Sequence, residues 1–113
     1  MVLEQKDLKQ LDKLSKIIGS YFNIQVDNYL ITLSRRGRGK KASKYFMFFA
    51  HYYLNFSSQK IAIYCNKSRR YIFRGMAIIR HFSSLYEDDK IELNNILEYI
   101  KKEDSDLLSS SNE

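Results

Sequence analysis

Along most of this chain, apolar residues recur at intervals of three and four, the spacing that gathers them on one face of an α-helix. Leu8, Leu11, Leu14, Ile18 and Phe22 form the first series. They predict an amphipathic helix over about residues 4–22, with Lys6, Lys9, Lys13 and Lys16 on its outer face. Val26, Tyr29, Leu30 and Leu33 predict a short second helix, entered at Asp27 or just before it. The run Ser34-Arg35-Arg36-Gly37-Arg38-Gly39-Lys40-Lys41 then breaks the pattern. Its glycines lower helix propensity and permit close backbone approach to a surface, so it reads as a basic loop.

A third helix is predicted from about Ala42 to Leu54, carrying Tyr45, Phe46, Phe48, Phe49, Tyr52 and Tyr53. Rings on nearly every face of one helix mark the centre of a small core, with a base-stacking platform as the alternative. Asn55-Phe56-Ser57-Ser58 interrupts the series, and Ser57 or Ser58 is placed to cap a short helix through Ile61 and Ile63 to about Tyr64. Cys65-Asn66-Lys67 makes a tight turn, after which Ser68 caps a longer helix with Ile72, Met76, Ile79 and Tyr86 on its inner stripe. A last helix starts at Asp88 or Asp89, whose charge suits a helix N-terminus, and runs through Ile91, Ile96, Leu97 and Ile100 to about Lys102. The serine-rich tail from Asp104 is expected to be disordered.

The expected fold is therefore all-α, a bundle of five to six helices forming one domain over residues 1–103, followed by a tail over 104–113. The absence of proline, only 4 glycines in 113 residues and a 44% hydrophobic content agree with a helical protein that has a core. This length does not accommodate a catalytic domain beside a binding domain.

Charge sharpens the picture, because the net charge of +6 is unevenly distributed. Every acidic residue lies at or before Asp27 or at or after Glu87. Between them stand Arg35, Arg36, Arg38, Lys40, Lys41, Lys44, Lys60, Lys67, Arg69, Arg70, Arg74 and Arg80, a one-signed block that points to a polyanionic partner. A merely solubilising surface is the plainer reading. No apolar run is long enough for a membrane span, and the charged start lacks a signal-peptide pattern, so no membrane association and a cytoplasmic, nucleoid-associated location are expected.

Candidate chemistry is sparse. Cys65 is the single cysteine, and with His51 and His81 it gives no metal-ligand spacing, so neither metal nor other cofactor is expected. Both histidines read as core or boundary residues without a nucleophile or carboxylate partner. Gly37-Arg38-Gly39-Lys40-Lys41-Ala42 lacks the third glycine of a dinucleotide fingerprint and the Gly-Lys-Ser/Thr ending of a phosphate loop. A binding module is expected, not an enzyme.

Short helix, turn, longer helix is the order of a helix-turn-helix. With Ile72, Met76 and Ile79 facing inward, Lys67, Arg70, Tyr71 and Arg74 fall on the opposite side, and Arg69 flanks them near the helix start. In a recognition helix, the first turn offers N–H groups and a positive dipole end to phosphate, and arginines bind guanine edges in the major groove. Tyr71 suits a phosphate or a thymine methyl. The loop with Arg35, Arg36, Arg38, Lys40 and Lys41 suits an adjacent minor groove. The same features fit RNA binding, or a protein-interaction module that docks on another replication or regulatory protein.

The order of elements resembles the C-terminal DNA-binding domain (domain IV) of the bacterial replication initiator DnaA, over about Leu11 to Lys102. A leading helix ends in Tyr21-Phe22-Asn23-Ile24, then Val26 to Leu33 leads into Ser34-Arg35-Arg36-Gly37-Arg38, similar to the family's Lys/Ser-Arg-Arg-x-Arg loop. Lys44 to Leu54, Ser57 to Ile61 and the stretch from Ser68 match the helices that follow. The family's recognition helix begins Arg-Asp-His-Ser/Thr-Thr-Val, where this chain has Lys67-Ser68-Arg69-Arg70-Tyr71-Ile72. The architecture is similar, but the replaced Asp-His and hydroxyl pairs mean that the DNA target does not carry over. Asn66 stands where the family has a glycine pair, which implies a shortened turn.

The resemblance implies a Trp-repressor-like fold and double-stranded DNA as partner. It places Arg36 and Arg38 in the minor groove, Lys44 on the DNA backbone, and Lys67, Arg69, Arg70 and Tyr71 in the major groove. Ser57, Ser58 and Lys60, on the short helix of the pair, are further candidates for phosphate contact, and Ser68 and Arg74 for the recognition helix. A monomeric reader of an asymmetric site is implied, acting as a stand-alone regulator or mobile-element protein in replication or transcription control.

Overall fold

The structure, a computed structural model, describes the backbone of residues 3–24 and 37–110 and the side chains of residues 3–24 and 40–108. The predicted helix Val26–Leu33, Arg35 and Arg36, and the side chain of Arg38 lie outside the described residues. Those described form six helices and no strand.

Helix α1 (Gln5–Tyr21) buries Leu11, Leu14 and Ile18, with Phe22 inside just past its end. Leu8, expected on the same stripe, is exposed because it sits at the flank of the face centred on Leu11 and Ile18. Helix α2 (Gly37–Tyr52) starts well before Ala42, so the second half of the predicted basic loop, Gly37 to Lys41, is helical. Two glycines there cost roughly 1 kcal/mol each in helix propensity, which the strongly packed turns that follow offset. Ala42, Ser43 and every residue from Tyr45 to Ala50 are buried. Burial around the full circumference follows from α2 packing against α1, helix α3 (Ser58–Cys65) and helix α4 (Arg69–Leu85). Tyr52, expected in that core, is 44% exposed near the end of the helix, its ring packed against that of Phe48.

Three helices end the same way, on an asparagine in the left-handed region: Asn23 (φ 58°), Asn55 (φ 63°) and Asn66 (φ 56°). Asparagine tolerates this conformation better than other residues with a β-carbon. At the end of α3 the Asn66 N–H donates to the Ile63 carbonyl (3.3 Å) and the Lys67 N–H to the Ala62 carbonyl (3.1 Å), a Schellman pair. Asn23 and Ile24 close α1 onto Ser20 and Gly19 in the same way (3.0 and 2.7 Å). After α2, Leu54 and Phe56 turn inward, and His51 Nδ1 donates to the Phe56 carbonyl at 2.8 Å, tying the helix end to the loop it feeds.

Helix α4 buries Ile72, Gly75, Met76 and Ile79. Tyr86, predicted on this inner stripe, is 53% exposed, because the chain leaves the helix there and turns into α5 (Glu87–Glu103). Glu87, Asp88 and Asp89 occupy the first turn of α5 and Lys101 and Lys102 the last, complementing the helix dipole at both ends. Ile96 and Ile100 are buried, whereas Ile91 is exposed on the far side of the helix. The tail predicted to be disordered instead continues into α6 (Ser105–Ser110). Leu107 and Leu108 join the core, and adjacent burial of two leucines supplies what the serine-rich composition conceals.

Polar contacts join distant parts of the chain. The Tyr64 hydroxyl donates to Asp12 Oδ1 at 2.6 Å, and the Ser20 and Tyr99 hydroxyls lie 2.8 Å apart. Burial pushes the Tyr64 hydroxyl far up from its ordinary value, and the bond to Asp12 with that carboxylate's charge adds to it. Tyr45 is raised too, first by burial and then by the charges of Glu92 and Asp89.

Helices α2 and α4 approach each other closely at Gly75. A β-carbon on Gly75 would lie 2.7 Å from the sulfur of Met47. Gly75→Val is expected to destabilise the protein by about 1–3 kcal/mol in urea unfolding, through overpacking against the buried Met47. Alkali is the second test. The folded chain keeps the Tyr64 and Tyr45 protons at pH values where the unfolded chain loses them, so stability is intact below about pH 10 and falls as pH rises beyond it. Tyr64→Phe should make that fall shallower and cost about 1 kcal/mol near neutral pH.

Candidate nucleic-acid interface

Helix α3, the turn Asn66-Lys67-Ser68 and α4 follow one another in the order short helix, turn, longer helix. Ser57 caps α3 by accepting from the Lys60 N–H (3.2 Å), and Ser68 caps α4 by accepting from the Tyr71 N–H (3.1 Å). Each hydroxyl keeps its own proton to donate elsewhere. With Ile72, Met76 and Ile79 held in the core, α4 exposes Arg69, Arg70, Tyr71 and Arg74. The Lys67 ammonium sits 5.2 Å from the centre of the Tyr71 ring, and the Arg69 guanidinium 5.9 Å from that of Phe73. Such cation–π contacts orient long side chains that would otherwise sample many rotamers.

The remaining predicted residues do not join this face as one surface. Lys60 pairs with Asp7 of α1 at 2.9 Å, and that hydrogen bond and charge raise its pKa. Ser58 is buried, so it does not present its hydroxyl to a phosphate. Lys41 pairs with Glu92 of α5. Together with Lys40 and Lys44 it lines a groove of about 320 Å³ that also contains Ile78, Phe82 and Asp89. Desolvation, followed by the charge of Lys40, lowers the Lys44 pKa. The block that carries no acid in the sequence thus meets carboxylates from both flanks once folded. Arg69, Arg70, Arg74 and Arg80 have no ion pair among the described residues.

Two features escaped the sequence reading. Phe73, 49% exposed, lies among the arginines of α4, and with Arg69, Arg70, Arg74 and Ala77 it lines a shallow depression on the outer face. Beside it, His51 and Tyr52 of α2 meet Phe73, Arg80 and His81 of α4 around a groove of about 590 Å³. Phe73 was legible in principle, since it stands one position beyond Ile72 and so falls off the inner stripe. The meeting of α2 and α4 was not. Ile78, Phe82 and Leu85 are also exposed, along another side of α4.

Among the described residues, no three His, Cys, Asp or Glu side chains gather as a metal site requires, and Cys65 is buried. No described helix is long and apolar enough to cross a membrane. Comparison with protein families, curated proteins and solved structures gives no match for this chain. The similarity to the initiator's DNA-binding domain therefore rests on the residues quoted above.

The cap that starts α4 can be tested by itself. Ser68→Ala should lower stability by about 1 kcal/mol in thermal or urea unfolding, because the Tyr71 N–H loses its acceptor.

Proposed function

We propose that this protein binds double-stranded DNA with a sequence preference, through the exposed face of α4 in the major groove, and acts as a non-catalytic regulator in replication, transcription or a mobile element. The observation that carries the reading is the outer face of α4, where Arg69, Arg70 and Arg74 are exposed and free of described carboxylate partners. They stand on a helix whose rotation is fixed by its buried stripe. Guanidinium groups on a rigid helix satisfy the geometric demand of paired hydrogen bonds to guanine, and the capped N-terminus favours an adjacent phosphate.

Lys67 and Tyr71 stand at the start of the same face and serve as backbone or thymine-methyl contacts. The basic segment leading into the first turn of α2 is assigned to the neighbouring minor groove through Arg35, Arg36 and Arg38, on the strength of the resemblance. Lys40 and Lys41 contribute less, since they occupy a separate groove that also holds Asp89. Monomeric binding on the bacterial nucleoid belongs to the same proposal.

Selection from a random duplex library at rising salt tests the reading. Recovery of a motif that persists near about 150 mM salt is the expected outcome. No motif, with binding lost at that salt, would reject it in favour of RNA or protein. On the selected site, Arg70→Ala and Arg74→Ala should each cost about 1–3 kcal/mol and relax preference at individual positions. Ser68→Asp should keep the helix cap and stability but weaken DNA binding, because it sets a carboxylate against phosphate.

A further inference from the structure

The groove between the C-terminal end of α2 and the middle of α4 has the chemistry of a base-binding site. One wall is His51 and Tyr52, and the other includes Phe73, Ala77, Arg80 and His81. Tyr52 and Phe73 are 44% and 49% exposed, whereas Tyr45, Phe46 and Phe49 are almost completely buried. No carboxylate lines the groove among the described residues, and Arg80 is exposed there without an ion pair. Phe73 and Ala77 are shared with the depression lined by Arg69, Arg70 and Arg74, so the groove opens directly onto the arginine face. A volume of about 590 Å³ falls in the range that holds a small organic ligand.

We propose that this groove takes an unstacked nucleobase of a single-stranded segment, so that the protein also binds single-stranded nucleic acid, or duplex next to a single strand. This rests on the reading of α4 as a nucleic-acid face. The π-faces of Tyr52 and Phe73 receive the base, and Arg80 meets the phosphate that follows it. His51 adds a hydrogen bond. Its Nδ1 hydrogen is committed to the Phe56 carbonyl at 2.8 Å, so the group it can offer a base is the Nε2 lone pair. That acceptor takes the amino group of adenine or cytosine, or equally the ring N3–H of thymine or uracil, so a preference for adenine over thymine comes from its larger stacking face.

Fluorescence anisotropy of the full chain separates the possibilities, using end-labelled 20-nucleotide oligo-dA, oligo-dT, oligo-rA and a mixed-sequence DNA duplex at constant salt. The expected result is binding of single strands, tighter for oligo-dA than oligo-dT, with the oligo-rA arm showing whether the sugar matters. Tyr52→Ala and Phe73→Ala should weaken single-strand binding roughly 5- to 150-fold, while Tyr52→Phe keeps the ring and the affinity. Tyr52→Ala should leave duplex affinity within about twofold, because Tyr52 lies outside the α4 arginine face. Both rings are half exposed, and circular dichroism melting confirms that each variant is folded before its affinity is read. Duplex binding without single-strand binding overturns the groove and leaves the duplex reading standing; single-strand binding indifferent to both alanine variants overturns the groove, and the duplex arm then decides the duplex reading. Binding to neither overturns both.

Discussion

The position of α4 depends on one close approach, where the sulfur of Met47 fills the space that a β-carbon on Gly75 would need. A residue without a side chain lets α4 settle directly against α2, and α2 is itself enclosed by α1 and α3. The rotation of α4 about its axis is then set by Ile72, Met76 and Ile79 entering the same core. A helix turned by one residue would carry Phe73 and Arg80 inward and lift Met76 toward water. Burying an unpaired guanidinium costs several kcal/mol, far more than a change of apolar partner. The arginine face is therefore a consequence of the core, and local helix preference alone would not hold it.

Charge in this protein is sorted by tertiary structure. Asp7 lies in the first helix and Glu92 in the fifth, yet they reach Lys60 and Lys41 in the basic middle of the chain. Such exposed pairs contribute little stability, on the order of 1 kcal/mol or less. Their larger effect is on the field outside the protein. With cations on α2 and α3 paired, Lys67 and the arginines of α4 stand without an ion pair among the described residues beside the capped helix start. The uncompensated positive surface becomes smaller and more defined than the net charge suggests.

Aromatic residues are divided by the same packing. Tyr45, Phe46, Phe48 and Phe49 fall within the turns of α2 that other helices enclose, and they are buried. Tyr52 belongs to the same run of rings but is left half exposed, and it shares a groove with Phe73. Its ring packs against Phe48, and the exposed remainder gives the adjoining basic face an apolar counterpart.

Helix periodicity is a local property, and for that reason α1, α3, α4 and α5 and the serine caps of α3 and α4 were legible in the chain. Local rules also supplied the inner stripe of α4 and, from it, the exposed Arg69, Arg70 and Arg74. They failed where distant burial outweighs local preference. Gly37 to Lys41 is helical because the turns after it are packed, and the tail becomes α6 because Leu107 and Leu108 find a core. Lys60, Lys41 and Ser58 lost their expected freedom to partners and burial that no spacing encodes. The groove between His51, Tyr52, Phe73 and Arg80 joins residues of two helices that meet only after folding. The chain carries the spacing of each face, but which faces meet depends on how side chains fill the space between helices.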